Sequence, residues 1–281
     1  MNFSVSNLFV IMGMNYFKKF DKVIFAVWRS HNMEDYVTYT NKMKEKKPNL
    51  IPKNVSAKKQ LEHYQQKYSF DISSDITKCQ QSKTSKKIEE NKESVIKSLP
   101  KRIKTEDKKA IEKLVIETSN TVYGTLNENG AIKVFETQQK CKVLGGQQMS
   151  LVDIDCGNNN KMTLVGKIDG ITDNEEIVEI KNRVKKHFNV LRGYEKPQIM
   201  TYMWMNKKTK GFMVENLKTK DGCNINIIPV EYEDNYVEDN IIPQLKKFHA
   251  FFIDFMKNEE WKYDILEGGE DKLYDIFINK Y

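Results

Sequence analysis

Cysteine is scarce in this sequence. The four residues Cys79, Cys141, Cys156 and Cys223 lie far apart with no C-x-x-C pair, which argues against a zinc knuckle and a disulfide framework. Reduced thiols of an intracellular protein are the expected state. Long apolar runs are missing too, since nothing approaches the roughly 20 residues that a membrane span needs. The apolar patch in the opening MNFSVSNLFVIMGMNYFKKF has no positive charge before it and no small-residue cleavage site. It reads as a packed first helix or strand rather than a secretory signal. A protein neither secreted nor bound to membrane is expected. No internal repeat is present.

Charge, by contrast, is abundant. Lys and Arg number 46 against 39 Asp and Glu, a net charge of +7, and the pI is near 8.9. That balance fits a partner with a negative surface, nucleic acid most simply, and fits equally a basic protein that binds nothing anionic. With 39% hydrophobic and 11% aromatic residues, the 281-residue chain can bury a core as one large domain or as a core with an appendage.

Residues 1 to about 40 are apolar and aromatic enough to be ordered, and FKKFDKVIFAVW packs as either a helix or a strand. From about 41 to 110 the chain turns polar and Lys-rich, which predicts short helices and loops on a basic surface with few core positions. A long helix follows over roughly 106–140, with Gly124, Glu128, Ala131 and Phe135 on one face. Three strand candidates come next, CKVLGGQQMSLVDID, KMTLVGKIDGI and EIVEIKNR, the last two joined by the turn-forming TDNE. A helix at about 192–206, strands GFMVENL and INIIPVEYE, and an aromatic amphipathic helix across IIPQLKKFHAFFIDFMKNEEW complete the order. The pattern is α/β with a mostly antiparallel central meander. It divides into a basic, mainly helical extension over 1–105 and a core over 106–281 that ends in a C-terminal helix.

Within that core, the tripeptide E-x-K begins at Glu45, Glu90, Glu106, Glu179, Glu260 and Glu270, and two of the six have Asp ten residues upstream, Asp169 before Glu179 and Asp35 before Glu45. Spacing alone therefore decides nothing. Around Asp35 no pair of alternating apolar runs would hold the charges together. Around Asp169 both runs exist. In a strand Glu179 and Lys181 share one face, and Lys167 and Asp169 share a face of the preceding strand. Pairing of the two would put Asp169 beside Glu179, with Lys181 about 7 Å farther along. Two close carboxylates repel unless a cation lies between them, and hard oxygens suit Mg2+ or Mn2+. Such an ion can polarise a phosphodiester and acidify a water, which the lysine orients or deprotonates.

Glu128 interrupts an otherwise apolar helix face. A carboxylate there is costly without a partner, and a metal on the adjoining sheet would supply one, unless the face is solvated. In YEKPQIMTYMWM, Gln198 and Tyr202 lie one helical turn apart. They are placed to bond a phosphate or orient a catalytic group; equally, Tyr202 and Trp204 could stack on a base or fill the core.

Together these residues resemble the PD-(D/E)XK nuclease superfamily, with its restriction-endonuclease-like core of helix, three strands, helix and strand. Within it they are most similar to the lambda-type exonucleases, the YqaJ-like viral recombinases. The resemblance runs from about Tyr123 to Tyr202 and rests on four elements in chain order: GTLNENGA as G-x3-E-x2-A, GKIDG with Asp169, EIK with Glu179 and Lys181, and QIMTY as Q-x3-Y. It implies a Mg2+ or Mn2+ site made by Glu128, Asp169, Glu179 and the Ile180 carbonyl. Lys181 would position the nucleophilic water, with Gln198 and Tyr202 supporting the site. It further implies exonucleolytic hydrolysis of linear double-stranded DNA in recombination, repair or replication. A single-strand annealing protein and a ring of identical subunits are the partners it brings, in whichever compartment holds the DNA: nucleus, viral replication site or bacterial cytoplasm.

The sequence also departs from the family. Relatives carry a Trp, an Arg and a Ser N-terminal to the core that help bind a 5′-phosphate. Laid on QSKTSKKIEENKESVIKS with Gln81, Ser82 and Ser98 in register, Lys87 stands for the Trp and Asn91 for the Arg. That weakens 5′-end recognition or hands it to Lys92, Lys97, Lys101 and Arg102. Ile168 occupies the position where many relatives have Pro. The alternatives are a RecB-like single-strand exonuclease or endonuclease, whose members often carry His where this chain has Glu128, and a non-catalytic DNA-binding relative.

Overall fold

The computed structural model describes residues 1–14, 19–157 and 159–281; Phe17 and Lys18 of the FKKF stretch lie outside them. The chain begins with β1 (Asn2–Ser4), α1 (Leu8–Ile11), α2 (Phe20–His31), α3 (Met33–Lys46), α4 (Ala57–Tyr68), α5 (Ser73–Gln80) and α6 (Ser85–Ser98). The long helix α7 (Thr105–Gln139) leads into β2 (Val143–Leu144), β3 (Met149–Asp155), β4 (Lys161–Lys167), β5 (Gly170–Thr172) and β6 (Ile177–Arg183). Then come α8 (Lys196–Met205), β7 (Lys210–Thr219), β8 (Gly222–Glu231), a π-helical turn (Val237–Ile241), α9 (Ile242–Lys257), α10 (Glu259–Glu267) and α11 (Glu270–Lys280). The class is mixed α/β, with eleven α-helices and two sheets among the described residues. Glu106 and Asp107 sit in the first turn of α7, where exposed N–H groups favour negative charge, and Lys140 ends it with a left-handed φ of 54°.

The expected meander is divided between two sheets. A five-stranded sheet has the order β2-β5-β6-β7-β8, and a three-stranded sheet the order β1-β4-β3. KMTLVGKIDGI thus supplies β4 to one sheet and β5 to the other, with Ile168 and Asp169 at the crossing. Two contacts force the switch. Ile168 is fully buried and its N–H bonds the Gln148 carbonyl at 3.1 Å, while β2 presses so closely on Gly170 that a Cβ there would lie 2.2 Å from Val143 Cγ1. Most pairings are antiparallel, but β1 and β4 run parallel, as do β6 and β7, which the α8 crossover joins.

Segment 41–110 carries more core than its composition indicated. Leu61, Tyr64, Ile76, Cys79, Ile88, Val95 and Leu99 close on Ile111, Val115 and Tyr123 of α7 as a core of their own. Polar helices bury one apolar face as well as apolar ones do. Residues 1–14 and 19–46 belong elsewhere: β1 pairs with β4, and Phe20 and Trp28 pack with Phe248, Phe255 and Phe277 of the C-terminal helices. A third, smaller cluster joins Ala131 and Phe135 of α7 to Val178, Ile180 and Val214. β6 therefore has α7 on its Val178 and Ile180 face, and Glu179 and Lys181 point to the other.

Candidate active site

Strand alternation does place Glu179 and Lys181 together, and α8 completes the arrangement. Pro197 in the first turn of α8 starts the helix, which sets Gln198 and Tyr202 over the β6 face. Lys181 Nζ donates to Glu179 Oε1 at 2.7 Å and to Gln198 Oε1 at 2.9 Å. Gln198 Nε2 donates to Glu179 Oε1 at 2.9 Å and to the Tyr202 hydroxyl at 3.0 Å. Asp169 joins through the backbone: extending the Gly170–Val178 register one step sets it opposite Glu179, and its Oδ2 accepts the N–H of the next residue, Ile180, at 2.7 Å. Sequence-predicted Asp169, Glu179, Lys181, Gln198 and Tyr202 thus form one connected group.

Its electrostatics are those of charges held away from water. Glu179 is 4% exposed, and burial, with Asp169 and Glu128 adding repulsion, pushes its carboxyl up to about 7 against the Lys181 attraction. Burial likewise raises Asp169, with the Ile180 N–H opposing. Burial acts to lower the Lys181 ammonium, but Glu179 and Asp169 outweigh it and hold the pKa above its ordinary value. Burial raises the Tyr202 phenol, so its hydroxyl stays neutral.

Glu128 reaches this neighbourhood from α7, on the opposite side of β6. Its pKa is raised by burial and then by Asp169, and Gln147 Nε2 lies 3.3 Å from Oε2. Gly124 does not act as a close-approach glycine, since a Cβ there would meet Asn182 at an ordinary 3.9 Å. Its carbonyl instead accepts Asn182 Nδ2 at 2.8 Å.

Convergence of the three carboxylates on one point is not formed. Among the described residues no three His, Cys, Asp or Glu side chains form a group that could hold a metal ion. The donor chemistry nevertheless suits a hard cation. Glu179 Oε2 is fully buried with no hydrogen-bond partner, beside a second carboxylate, and such an oxygen is costly to leave unpaired.

The lysines and polar groups expected on a DNA surface divide into two kinds. Lys92 is 4% exposed and bonds Asn120 Oδ1 at 2.9 Å and Glu89, while Arg102 gives its donors to the Tyr68 and Ser69 carbonyls that end α4. Asn91 bonds Ser82 Oγ at 3.0 Å and Ser98 bonds the Val95 carbonyl at 2.8 Å. Lys97 and Lys101 remain presented to solvent. Asp35 of the second D-x9-E-x-K is structural, accepting from Trp28 Nε1 at 2.7 Å and Lys262 Nζ at 3.0 Å.

Sequence reading missed the neighbouring buried network. Arg183, two residues past Lys181, donates Nε to Glu215 at 2.8 Å and its terminal nitrogens to Glu195 at 2.8 and 3.0 Å. Glu215 also accepts the Phe188 and Asn189 N–H groups and Asn226 Nδ2. The available signal was a glutamate inside the apolar run GFMVENL.

No protein-family model and no curated protein matches the chain. Solved structures resembling it include an alkaline exonuclease, LHK-Exo, from Laribacter hongkongensis, at 13% identity and a TM-score of 0.36 over 65% of this chain and 90% of that one. The same exonuclease in complex with dAMP gives 13% identity and a TM-score of 0.38, over 66% and 90% of the two chains. A protein designated SSO0001 gives 17% identity and a TM-score of 0.38, the match spanning 48% of this chain and 63% of that one.

Proposed function

We propose that this chain is a divalent-metal-dependent nuclease that hydrolyses the phosphodiester backbone of DNA. One observation carries the reading: Lys181 is fixed between Glu179 and Gln198, beside a buried Glu179 oxygen that has no protein partner. Asp169, Glu179 and the Ile180 carbonyl would hold Mg2+ or Mn2+, with Glu128 as the further ligand that the family resemblance implies. Such an ion supplies charge neutralisation at the phosphate and a more acidic water.

The chain's own groups do the rest. Lys181, kept protonated by its two carboxylate neighbours, donates hydrogen bonds to the attacking water or a phosphate oxygen rather than taking up a proton. Gln198 holds Glu179 and Lys181 in register, and Tyr202, itself a neutral hydroxyl, holds Gln198. The chain order of G-x3-E-x2-A, Asp169, E-x-K and Q-x3-Y supports the finer reading. That reading is a lambda-type exonuclease of linear duplex DNA, acting in recombination, repair or replication wherever that DNA resides. A single-strand annealing protein and a ring of identical subunits belong to the same proposal.

Incubation with linear, nicked and circular DNA in Mg2+ or Mn2+ tests it. The parent should degrade linear DNA and spare circles, and both Asp169→Ala and Lys181→Ala should lose at least about a hundredfold in rate. Cleavage that survives both substitutions would sink the assignment, and attack on circles would point to an endonuclease. The lack of carboxylate convergence favours one other reading, a DNA-binding relative without catalysis. No cleavage by the parent with either ion, but DNA binding intact, is its signature.

A further inference from the structure

The segment between β6 and α8, residues 184–195, is irregular in backbone and yet anchored more heavily than any surface loop requires. Both its ends join the site: it starts three residues after Lys181 and ends three before Gln198. Val184 packs into the α4–α7 core and Leu191 into the N- and C-terminal core. Between them Glu215, fully buried, takes the Phe188 N–H at 2.9 Å and the Asn189 N–H at 2.9 Å. Arg183 ties Glu215 to Glu195, whose side chain is 3% exposed. Burying three charges is expensive, and what such networks provide is a single geometry.

What this foundation displays is cationic. Two guanidinium groups lie over the Phe188 ring, Arg183 at 4.7 Å and Arg192 at 4.5 Å from its centroid. Arg183 spends its donors on Glu195 and Glu215, and on Tyr194 beside them. Arg192 is exposed, lies 5.9 Å from the Tyr194 ring centroid as well, and makes no salt bridge among the described residues. A guanidinium stacked by its face keeps its N–H groups free around the edge, the geometry that grips a phosphate bidentately. Lys185, with 82% of its side chain exposed and its ammonium 3.8 Å from Glu89, and the exposed Lys186 add positive charge to the same segment.

We infer that residues 184–195 form a preorganised grip on the nucleic-acid backbone, with Arg192 bonding a phosphate on the strand that enters the Asp169–Glu179–Lys181 site. This rests on the nuclease reading and adds the residue that holds the strand. Lys185 lies four residues from Lys181, about 13 Å along an extended chain, within a few nucleotides of the bond to be cut at about 3.4 Å each. Arg183, Glu195 and Glu215 act as positioning residues for it.

Anisotropy of a labelled oligonucleotide, measured on the full chain in EDTA from about 50 to 200 mM salt, tests the grip without a working site. Arg192→Ala should weaken binding several-fold and reduce the slope of log K against log salt by about 0.9 on duplex, or 0.7 on single strand. Arg192→Lys should restore the slope but not the full affinity, and Lys257→Ala on α9 should change neither. Parent-like slope and affinity in Arg192→Ala overturns the grip, as does a parent chain that binds no oligonucleotide at low salt. Cleavage in Mg2+ by Asp169→Ala is read separately. If it persists, the catalytic assignment fails while the salt slope still judges Arg192.

Discussion

At the scale of single residues, the most consequential group is Glu179. Its unfolded carboxyl titrates near 4.5 and its folded one near 7, so the folded state holds the proton longer. Stability from this group is fully present below pH 4.5 and is lost as pH rises to 7, levelling off above. In metal-free protein Glu179→Gln should flatten that decline, which is at most about 3 kcal/mol for the parent at 1.36 kcal/mol per pH unit. Urea unfolding of both chains in EDTA between pH 5 and 8 checks the sign. A parent that gains stability over that range contradicts the buried, cation-seeking Glu179.

At the scale of elements, β6 and β7 determine whether the site can form. They run parallel with Ile177 opposite Gly211, and a Cβ at Gly211 would meet the Ile177 carbonyl oxygen at 2.9 Å. Backbone cannot retreat as a flexible side chain can. Gly211→Ala should cost about 1–3 kcal/mol through a forced strand shift, visible as a lowered urea midpoint at unchanged slope. Glu215 is the complementary case on the same strand. Opposed by burial but held down by the Asn189 and Phe188 N–H groups and by Arg183, its pKa lies below the ordinary value. Its stabilisation is therefore present above pH 4.5 and lost on acidification. Glu215→Ala, which leaves Arg183 short of a partner, should destabilise by about 3–5 kcal/mol and speed hydrogen exchange at Phe188 and Asn189. Unchanged exchange there would mean the segment holds its shape without Glu215.

At the scale of the whole molecule, two cores share one long helix. The first end of α7 completes the α4–α6 core with Ile111 and Val115, and its last turns cover the five-stranded sheet with Ala131 and Phe135. The other large core joins chain regions some 240 residues apart, Phe3 and Phe20 with Phe248 and Phe277. Phe248→Ala removes a fully buried ring from that centre and should cost about 3–5 kcal/mol. Protease resistance of β1 and α11 should fall together, because one cluster holds both. Loss confined to α9 and α10 would show the termini are anchored separately.

Some of this was readable from the chain alone. Alternation on EIVEIK puts Glu179 and Lys181 on one face whatever surrounds the strand, and four-residue spacing puts Gln198 and Tyr202 on one turn, because both rest on local backbone geometry. The long helix and the strands beyond it follow from the same periodicities. Long-range packing decided the rest. Nothing local tells KMTLVGKIDGI to leave one sheet for another at Ile168, because the switch is made by Gln148 and Val143. Likewise, that Glu128 stays across β6 from Glu179, that Lys92 is buried while Arg192 is displayed, and that Glu215 anchors a loop depend on what the folded chain brings opposite each residue. Sequence determined which chemical groups were available and which faces they share; only tertiary structure decided which charges are kept from water and which are left to meet a partner.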